Sequence, residues 1–394
     1  MAARNIQIRH NRAGTGACPS TKFTVITMPT TYTPNKTDNV DFLEATFRKI
    51  FPQDSEYRDK ATARLEQLTM PHWALGDLMD LAVDLAGMTR SMHPPVKRKR
   101  VVIMVGDHGV TAEGVSKYPS EVTAQMVHNF VNGGAGINAL ARQAGAEVSV
   151  VDMGCAGDLS ALVKQGKIIS KKIAAGTENM AHGPAMTRTQ AVMAVEVGIE
   201  VADRLAPEVD IFATGDMGIG NTTASTAIVA AMTDKTLDQL TGRGTGLDDE
   251  QLDHKKKILA RILQMNKPNA EDGLDVLAKV GGYEIGGIAG LIIGAAAHQK
   301  PVLVDGFIST AGALIACKLE PFVRDYIICA HRSVEQGHAV MQEKLGCKPL
   351  LDLNLRLGEG TGAALAMNVV EAAVAVLTEV ATFADAGVTG TPAT

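Results

Sequence analysis

The sequence predicts an α/β protein: a parallel sheet flanked by helices, with a smaller helical domain ahead of it. Three observations carry this. From residue 101 onward, short runs rich in Val, Ile and Leu alternate with stretches of helical period, the pattern of a parallel sheet with right-handed crossovers. Before Pro94-Pro95 the apolar residues repeat at helical spacing. Nearly every strand-like run is followed at once by a cluster of glycines and polar residues, at the edge where open α/β sheets bind ligands.

Taken in order, residues 1–37 contain no acid, carry Arg4, Arg9, Arg12, Lys22 and Lys36, and are rich in Thr, Asn and Pro. They are expected to be a disordered extension, dispensable for fold and turnover. A transit peptide shares the charge bias, but no amphipathic helix and no secretory apolar segment accompany it. Residues 38–95 form the smaller helical domain, expected to be joined by part of 365–394. Val40, Leu43, Phe47 and Ile50 mark one helix, and Leu75, Leu78, Met79, Ala82 and Leu85 another. Residues 96–364 form the larger domain. Its strands are expected at 101–105, 147–152, 209–214, 301–304, 325–330 and 351–357. Its helices are expected around 121–144, 189–205, 222–232, 250–264, 284–298, 309–318 and 361–380.

Composition excludes several classes. The chain has 394 residues, 46% hydrophobic, enough for a large core and two domains. No uninterrupted apolar run reaches membrane-spanning length. A net charge of −5 argues against a nucleic-acid surface, and the basic run Lys97–Arg100 is expected to be a solvated strand entrance. The five cysteines, Cys18, Cys155, Cys317, Cys329 and Cys347, include no CxxC pair and suit a reducing, cytoplasmic compartment.

The chemistry gathers in the post-strand clusters. In "TGDMGIGNTTAST", Gly215, Gly218 and Gly220 let the backbone approach a ligand. Asn221 or Thr222 can cap the next helix, whose free N–H groups suit a phosphate. There is no GK[ST], so this is no Walker loop. "TGRGTGLDDEQLDHKKK" adds Arg243 and Lys255, which complete a phosphate cradle or form a plain surface turn. Asp107, His108, His331 and His338 match no tight metal motif, and no metal or other cofactor is expected. Ser116, Ser309 and Ser333 lie in no GxSxG elbow. Two acids remain, Asp216 and Glu359. Each follows a strand into glycines, which suits acid–base work or two helix-start charges.

The strings "DHGVTAEGVSKYPSEVTAQMV", "GDMGIGNTTAS", "TGRGTGLDDE", "DVLAKVGGYEIGGIAG", "DGFISTAGAL", "HRSVEQGH" and "LRLGEGTGAAL" together resemble the nicotinate-nucleotide–dimethylbenzimidazole phosphoribosyltransferase family, over roughly residues 40 to 388. The resemblance implies a Rossmann-like domain beside a small helical one, a homodimer, and no metal. It implies transfer of 5-phosphoribose from nicotinate mononucleotide to a benzimidazole in cobalamin synthesis. It makes Glu359 the general base, with Asp216 in support. Gly218, Gly220, Asn221, Thr222, Lys255, Asp305, Ser333, Arg356 and Gly358 are then expected at the nucleotide, and Ser116, Tyr118, Gln125, Met217 and Leu357 around the base. At position 216 the chain departs from the Glu expected in many relatives. A phosphate-ligand binding or sensor protein of the same fold, without turnover, is the alternative reading. The long apolar helix "EIGGIAGLIIGAAA" is a second motive for expecting a dimer.

Overall fold

The computed structural model describes residues 39–244 and 246–389; the N-terminal extension and Cys18 lie outside the described residues. Six strands form the main sheet: β1 (Lys99–Gly106), β2 (Ala146–Gly154), β3 (Ile169–Ser170), β4 (Ile211–Met217), β5 (Val302–Val304) and β6 (Ile327–Cys329). All pairs are parallel, in the order β3-β2-β1-β4-β5-β6. This is the Rossmann order, and its direction of winding reverses between β1 and β4, which opens a crevice beyond their C-terminal ends. β1 is buried along its whole length because helices cover both faces.

The helices Arg188–Leu205 and Tyr283–Ala297 pack closely on one another beside the sheet. A Cβ on Gly290 would stand 1.9 Å from the Val195 carbonyl oxygen, so glycine is what lets the two backbones meet. Every residue of Tyr283–Ala297 except the last is buried within this one chain. Its apolar surface is therefore spent on the core and gives no motive for a dimer.

Two further expectations are corrected. Residues 351–357 do not join the main sheet. β8 (Leu351–Leu355) pairs in parallel with β7 (His331–Ser333) as a separate two-stranded ribbon. The alternation Leu351, Leu353, Leu355, Leu357 would suit a strand covered on one side, but Leu353 is 56% and Leu357 61% exposed, so within this chain that side stays largely open. The basic run is solvated only at its start. Lys99 and Arg100 are buried, paired with Glu371 at 2.8 Å and Glu147 at 2.6 Å, since a buried strand admits such charges only with partners.

Ahead of the sheet, the helices Ser55–Leu65 and Asp77–Thr89 pack on the C-terminal helix Thr361–Glu379. Arg64 fastens them, donating through Nε to the Leu377 carbonyl at 2.6 Å and through Nη2 to that of Val380 at 3.1 Å. The helix Asn39–Phe47 lies instead against Tyr283–Ala297. By length and composition Thr361–Glu379 is apolar enough to cross a membrane, although Asn368 and Glu371 interrupt its apolar run, and half of it is buried inside this fold.

Candidate active site

A cavity of ≈ 560 Å³ lies over the β1–β4 crevice, a size that holds small ligands. Of the residues expected at a site, Ser116, Tyr118, Asp216, Met217, Gly218, Gly220, Asn221, Thr222, Ser333, Arg356, Leu357, Gly358 and Glu359 line it. Three do not. Lys255 and Asp305 stand behind the wall, each 1% exposed. Gln125 is exposed on the helix Glu121–Asn132, whose Val122 and Met126 face the cavity instead.

The loop after β4 is built by close approach. A Cβ on Gly218 would stand 2.1 Å from the carbonyl oxygen of Gly106 at the end of β1. Gly220, at φ +97°, turns the chain into the helix Asn221–Met232. Neither Asn221 nor Thr222 supplies a side-chain cap, contrary to expectation. Asn221 instead donates through Nδ2 to Asp216 Oδ2 at 3.1 Å, and Thr222 Oγ1 accepts from Lys255 Nζ at 2.9 Å. The helix start therefore faces the cavity without a side-chain cap, a geometry that suits an anion.

Asp216 is 6% exposed and its Oδ1 has no hydrogen-bond partner. Burial, then the nearby Asp305 and Glu284 carboxylates, hold its carboxyl well above the usual range; Asn221 opposes the shift and Glu359 adds to it. Glu284 is itself buried in an ion pair with His108, at 2.6 Å.

Around Glu359 the backbone is unusual. Gly358, Glu359 and Gly360 have φ of +80°, +62° and +96°. Glycine adopts this region freely, whereas at Glu359 it costs about 1–2 kcal/mol. Strain of this kind persists where the surroundings over-determine it. They do so here: Asp305 accepts from the amides of Gly360 at 3.2 Å and Ala363 at 2.9 Å. A Cβ on Gly360 would stand 2.6 Å from Val101 Cγ1. Asp305 thus shapes the loop from behind. Glu359 Oε2 accepts from the Ile137 amide at 3.0 Å, in the first turn of the helix Gly136–Ala144. Burial pushes the Glu359 carboxyl up, the Ile137 N–H opposes, and Asp305 adds to the rise.

At the other end of the cavity Lys255 is pushed down to about 8 by burial, against the pull of Glu335. Burial raises Glu335; Lys255, the Gly244 amide and Arg356 counter it. Arg356 donates to the Gly244 carbonyl at 3.3 Å, and Ser333 Oγ accepts from the Glu335 amide at 3.3 Å. The start of Asn221–Met232, Lys255 and Arg356 thus converge on one region, which suits a phosphate.

Sequence reasoning passed over Ile137, Glu335, Val122 and Met126, and weighed His331 only as a metal ligand. Glu335 and His331 carried a signal, lying in the same "HRSVEQGH" string as Ser333. Among the described residues no three His, Cys, Asp or Glu side chains converge to hold a metal. His338 is occupied by Thr310 Oγ1 at 2.9 Å and the Ser333 amide at 2.8 Å.

Comparison with known proteins gives one consistent result. Residues 50–388 match the family model DBI_PRT, described as phosphoribosyltransferase. The nicotinate-nucleotide–dimethylbenzimidazole phosphoribosyltransferase of Desulfotalea psychrophila is 63% identical, over 89% of this chain and 99% of its own. That of Syntrophotalea carbinolica is 61% identical over the same shares. The crystal structure of CobT from Thermus thermophilus is 44% identical, with a TM-score of 0.80 over 85% of this chain and 99% of that one.

Proposed function

The chain belongs to the DBI_PRT phosphoribosyltransferase family, and on that premise we propose that it moves 5-phosphoribose from nicotinate mononucleotide to 5,6-dimethylbenzimidazole or a related base. The products are α-ribazole 5′-phosphate and nicotinate, in the assembly of the cobalamin nucleotide loop. The observation that carries this reading is the pairing of two ends of one cavity. One end offers a helix start and Arg356, with Lys255 behind them on Thr222; the other offers Glu359 held by the Ile137 amide.

The phosphate occupies the cationic end, with Gly218, Gly220, Asn221, Thr222 and Ser333 around the phosphoribosyl group. The base lies between Ser116, Tyr118, Met217 and Leu357. Its lone-pair nitrogen attacks the anomeric carbon; the bond to the pyridinium nitrogen breaks, and the electron pair stays with nicotinate. The acceptor's ring N–H proton passes to Glu359, so positive charge does not build up on the acceptor. The strained Gly358-Glu359-Gly360 turn supports a role in which this carboxylate meets the flat ring edge-on. Asp216 is proposed to support the leaving group. Burial and acidic neighbours favour its neutral form, and a pyridinium beside it favours the carboxylate again.

The finer partner reading is a homodimer. Its support is the ribbon edge: Val334, Leu353 and Leu357 are 47–61% exposed beside the cavity, and a two-stranded ribbon gains from cover. Light scattering that gives the mass of one chain at micromolar concentration would refute it. A cytoplasmic location is proposed from the free thiols Cys155, Cys317, Cys329 and Cys347.

The deciding assay incubates the protein with nicotinate mononucleotide and a panel of benzimidazoles, purines and phenols. Equimolar nicotinate and a riboside phosphate are expected, with benzimidazoles preferred. Tight nucleotide binding without release of nicotinate would overturn the reading in favour of a sensor.

A further inference from the structure

Outside the catalytic cavity, thiols gather beside a second one. Cys329 ends β6, the edge strand of the main sheet, and Cys347 follows the helix Gln336–Leu345. The segment after Cys347 covers the free edge of β6: the Leu350 amide donates to the Cys329 carbonyl at 3.0 Å, and the Leu351 amide to that of Ala330 at 3.1 Å. This brings both thiols onto one cavity, where each shifts the other's acidity. Both open on a cavity of ≈ 430 Å³ that shares no lining residue with the catalytic one. Arg324 holds the turn between them and the preceding helix, donating through Nη2 to the Gly346 carbonyl at 2.6 Å.

We propose that Cys347 and Cys329 are a thiol pair that closes to a disulfide by exchange with a small external disulfide, and that closure lowers turnover at the catalytic cavity. Cys347, half-buried, is the attacking group. The Cys329 hydrogen bond pulls its thiol below the ordinary value; burial opposes this and Arg324 assists. Cys329, 2% exposed, is pushed up by that same hydrogen bond and by burial, and resolves in the second step. Cys317, nearby, is pushed up to about 12 by burial, and Cys155, elsewhere, to about 11.

The chemistry balances. The Cys347 thiol loses its proton to solvent, and its Sγ attacks one sulfur of the external disulfide. That S–S bond breaks, and one small thiolate leaves and takes up a proton. Cys329, deprotonated in turn, attacks Cys347 Sγ and expels the second small thiolate. Two protein thiols are oxidised to one disulfide, and the external disulfide is reduced to two thiols.

Closure reaches the site through the chain. Cys329 leads through Ala330 into β7, which carries Ser333; Cys347 leads through Leu350 into β8, which runs on to Arg356 and Glu359. Drawing the two roots together displaces the ribbon that delivers these groups. A displacement of about 1 Å at a catalytic group can cost on the order of 10²-fold. The cavity also sets Asp77, Asp80 and Asp84 against Arg324 and Lys348, so a cationic disulfide suits it better than an anionic one.

The test treats the full chain with cystamine, then with oxidised glutathione at the same concentration. A Cys329–Cys347 peptide link is expected by mass mapping, forming faster with cystamine. The value of kcat/KM should fall roughly tenfold or more and return with dithiothreitol. Cys347→Ala should keep the reduced wild-type activity and lose the response. A link to Cys317, a stable mixed disulfide on Cys347, or a Cys329–Cys347 link with unchanged turnover would overturn the proposal. The reduced protein is assayed first, so an inactive reduced chain counts against the proposed transferase and not against the thiol pair. Hydrogen exchange over 331–333 and 351–357 then reads the displacement without turnover, and exchange unchanged on closure would overturn it.

Discussion

The end of β4 and the loop after β8 each bring one carboxylate to the same cavity: Asp216 lies within a strand buried on both faces, not in the loop that sequence placed it in, and Glu359 follows a ribbon largely open to solvent. Asp216 has one hydrogen-bond partner, Asn221, and three acidic neighbours, Asp305, Glu284 and Glu359. Glu359 has a backbone N–H at a helix start and one acidic neighbour, Asp305. Both are pushed up, Asp216 the further. The difference teaches that a shared sheet edge does not fix protonation; the depth of burial does first, and the balance of donors against acidic neighbours after it. It supports assigning proton transfer to Glu359 and a charge-responsive role to Asp216.

The comparison breaks most directly at Glu359. Glu359→Gln keeps the shape and loses the base, so kcat should fall by about 10²–10⁴-fold, with nucleotide affinity within a few-fold. Steady-state kinetics with a benzimidazole and with a phenolate acceptor check this. The phenolate has no proton to lose and should be partly spared; equal loss would reassign Glu359 to electrostatic stabilisation. For wild type the raised Glu359 carboxyl places the acid limb of kcat above the ordinary glutamate range, activity falling as pH drops through it. A limb at the ordinary value would remove that argument.

Lys255 tests the opposite end. A charge-assisted hydrogen bond contributes about 1.5–3 kcal/mol, so Lys255→Met should raise the nucleotide KM roughly ten- to a hundredfold with kcat less affected. Because its pKa is lowered to about 8, the protein loses this cation as pH rises through that value. Nucleotide affinity should therefore fall above about pH 8 in wild type, and the fall should vanish in Lys255→Met. A persisting alkaline limb would move the effect to another group.

Asp216→Asn should cost less, about tenfold in kcat, below the range of a positioned base. A larger loss than in Glu359→Gln would reverse the two roles. Asp216 lines the cavity, so Asp216→Glu can extend into it and should retain activity. Binding of the nucleotide, which sets its cationic pyridinium ring beside Asp216, should release a proton from that carboxyl. Calorimetry in buffers of different ionisation enthalpy reads that release, and heats independent of buffer would exclude it.

How much of this was legible depended on where each signal lives. β1 announced itself because a strand buried on both faces needs an unbroken apolar run, here Val101–Val105, and β2 and β4 by shorter β-rich runs ending in glycine clusters. Asp216 and Glu359 were legible because each interrupts glycines that a turn alone does not need. The ribbon was not, since Leu351 to Leu357 alternates equally well for a sheet edge or a separate pair. Nor was Ile137, because a backbone amide donates whatever its side chain. Asp305 was found by its motif, but its place behind the loop depends on the amides of Gly360 and Ala363, which no sequence pattern marks.

The smallest expected effect comes from the helix Glu121–Asn132. The string "SKYPSEVTAQM" marks a wall of the base pocket without fixing which face of the helix turns inward. In the structure Thr123, Val127 and Phe130 are buried in the core. Val122 and Met126 lie beside that stripe and face the cavity, which leaves Gln125 on the outer side. One helical position turns about 100°, so Gln125 and Met126 have separate surroundings despite being neighbours. Met126→Ala should raise KM for the benzimidazole about fivefold, since removing part of a buried apolar side chain costs about 1 kcal/mol, and leave the nucleotide KM unchanged. Gln125→Ala should change neither by as much as about twofold, as an exposed substitution away from any contact does. Acceptor kinetics on both variants with two benzimidazoles of different size separate the cases. If Gln125→Ala altered the preference between them and Met126→Ala did not, the helix would have to turn when the base binds, and the ordering of the wall would be the reverse of the one seen in the empty cavity.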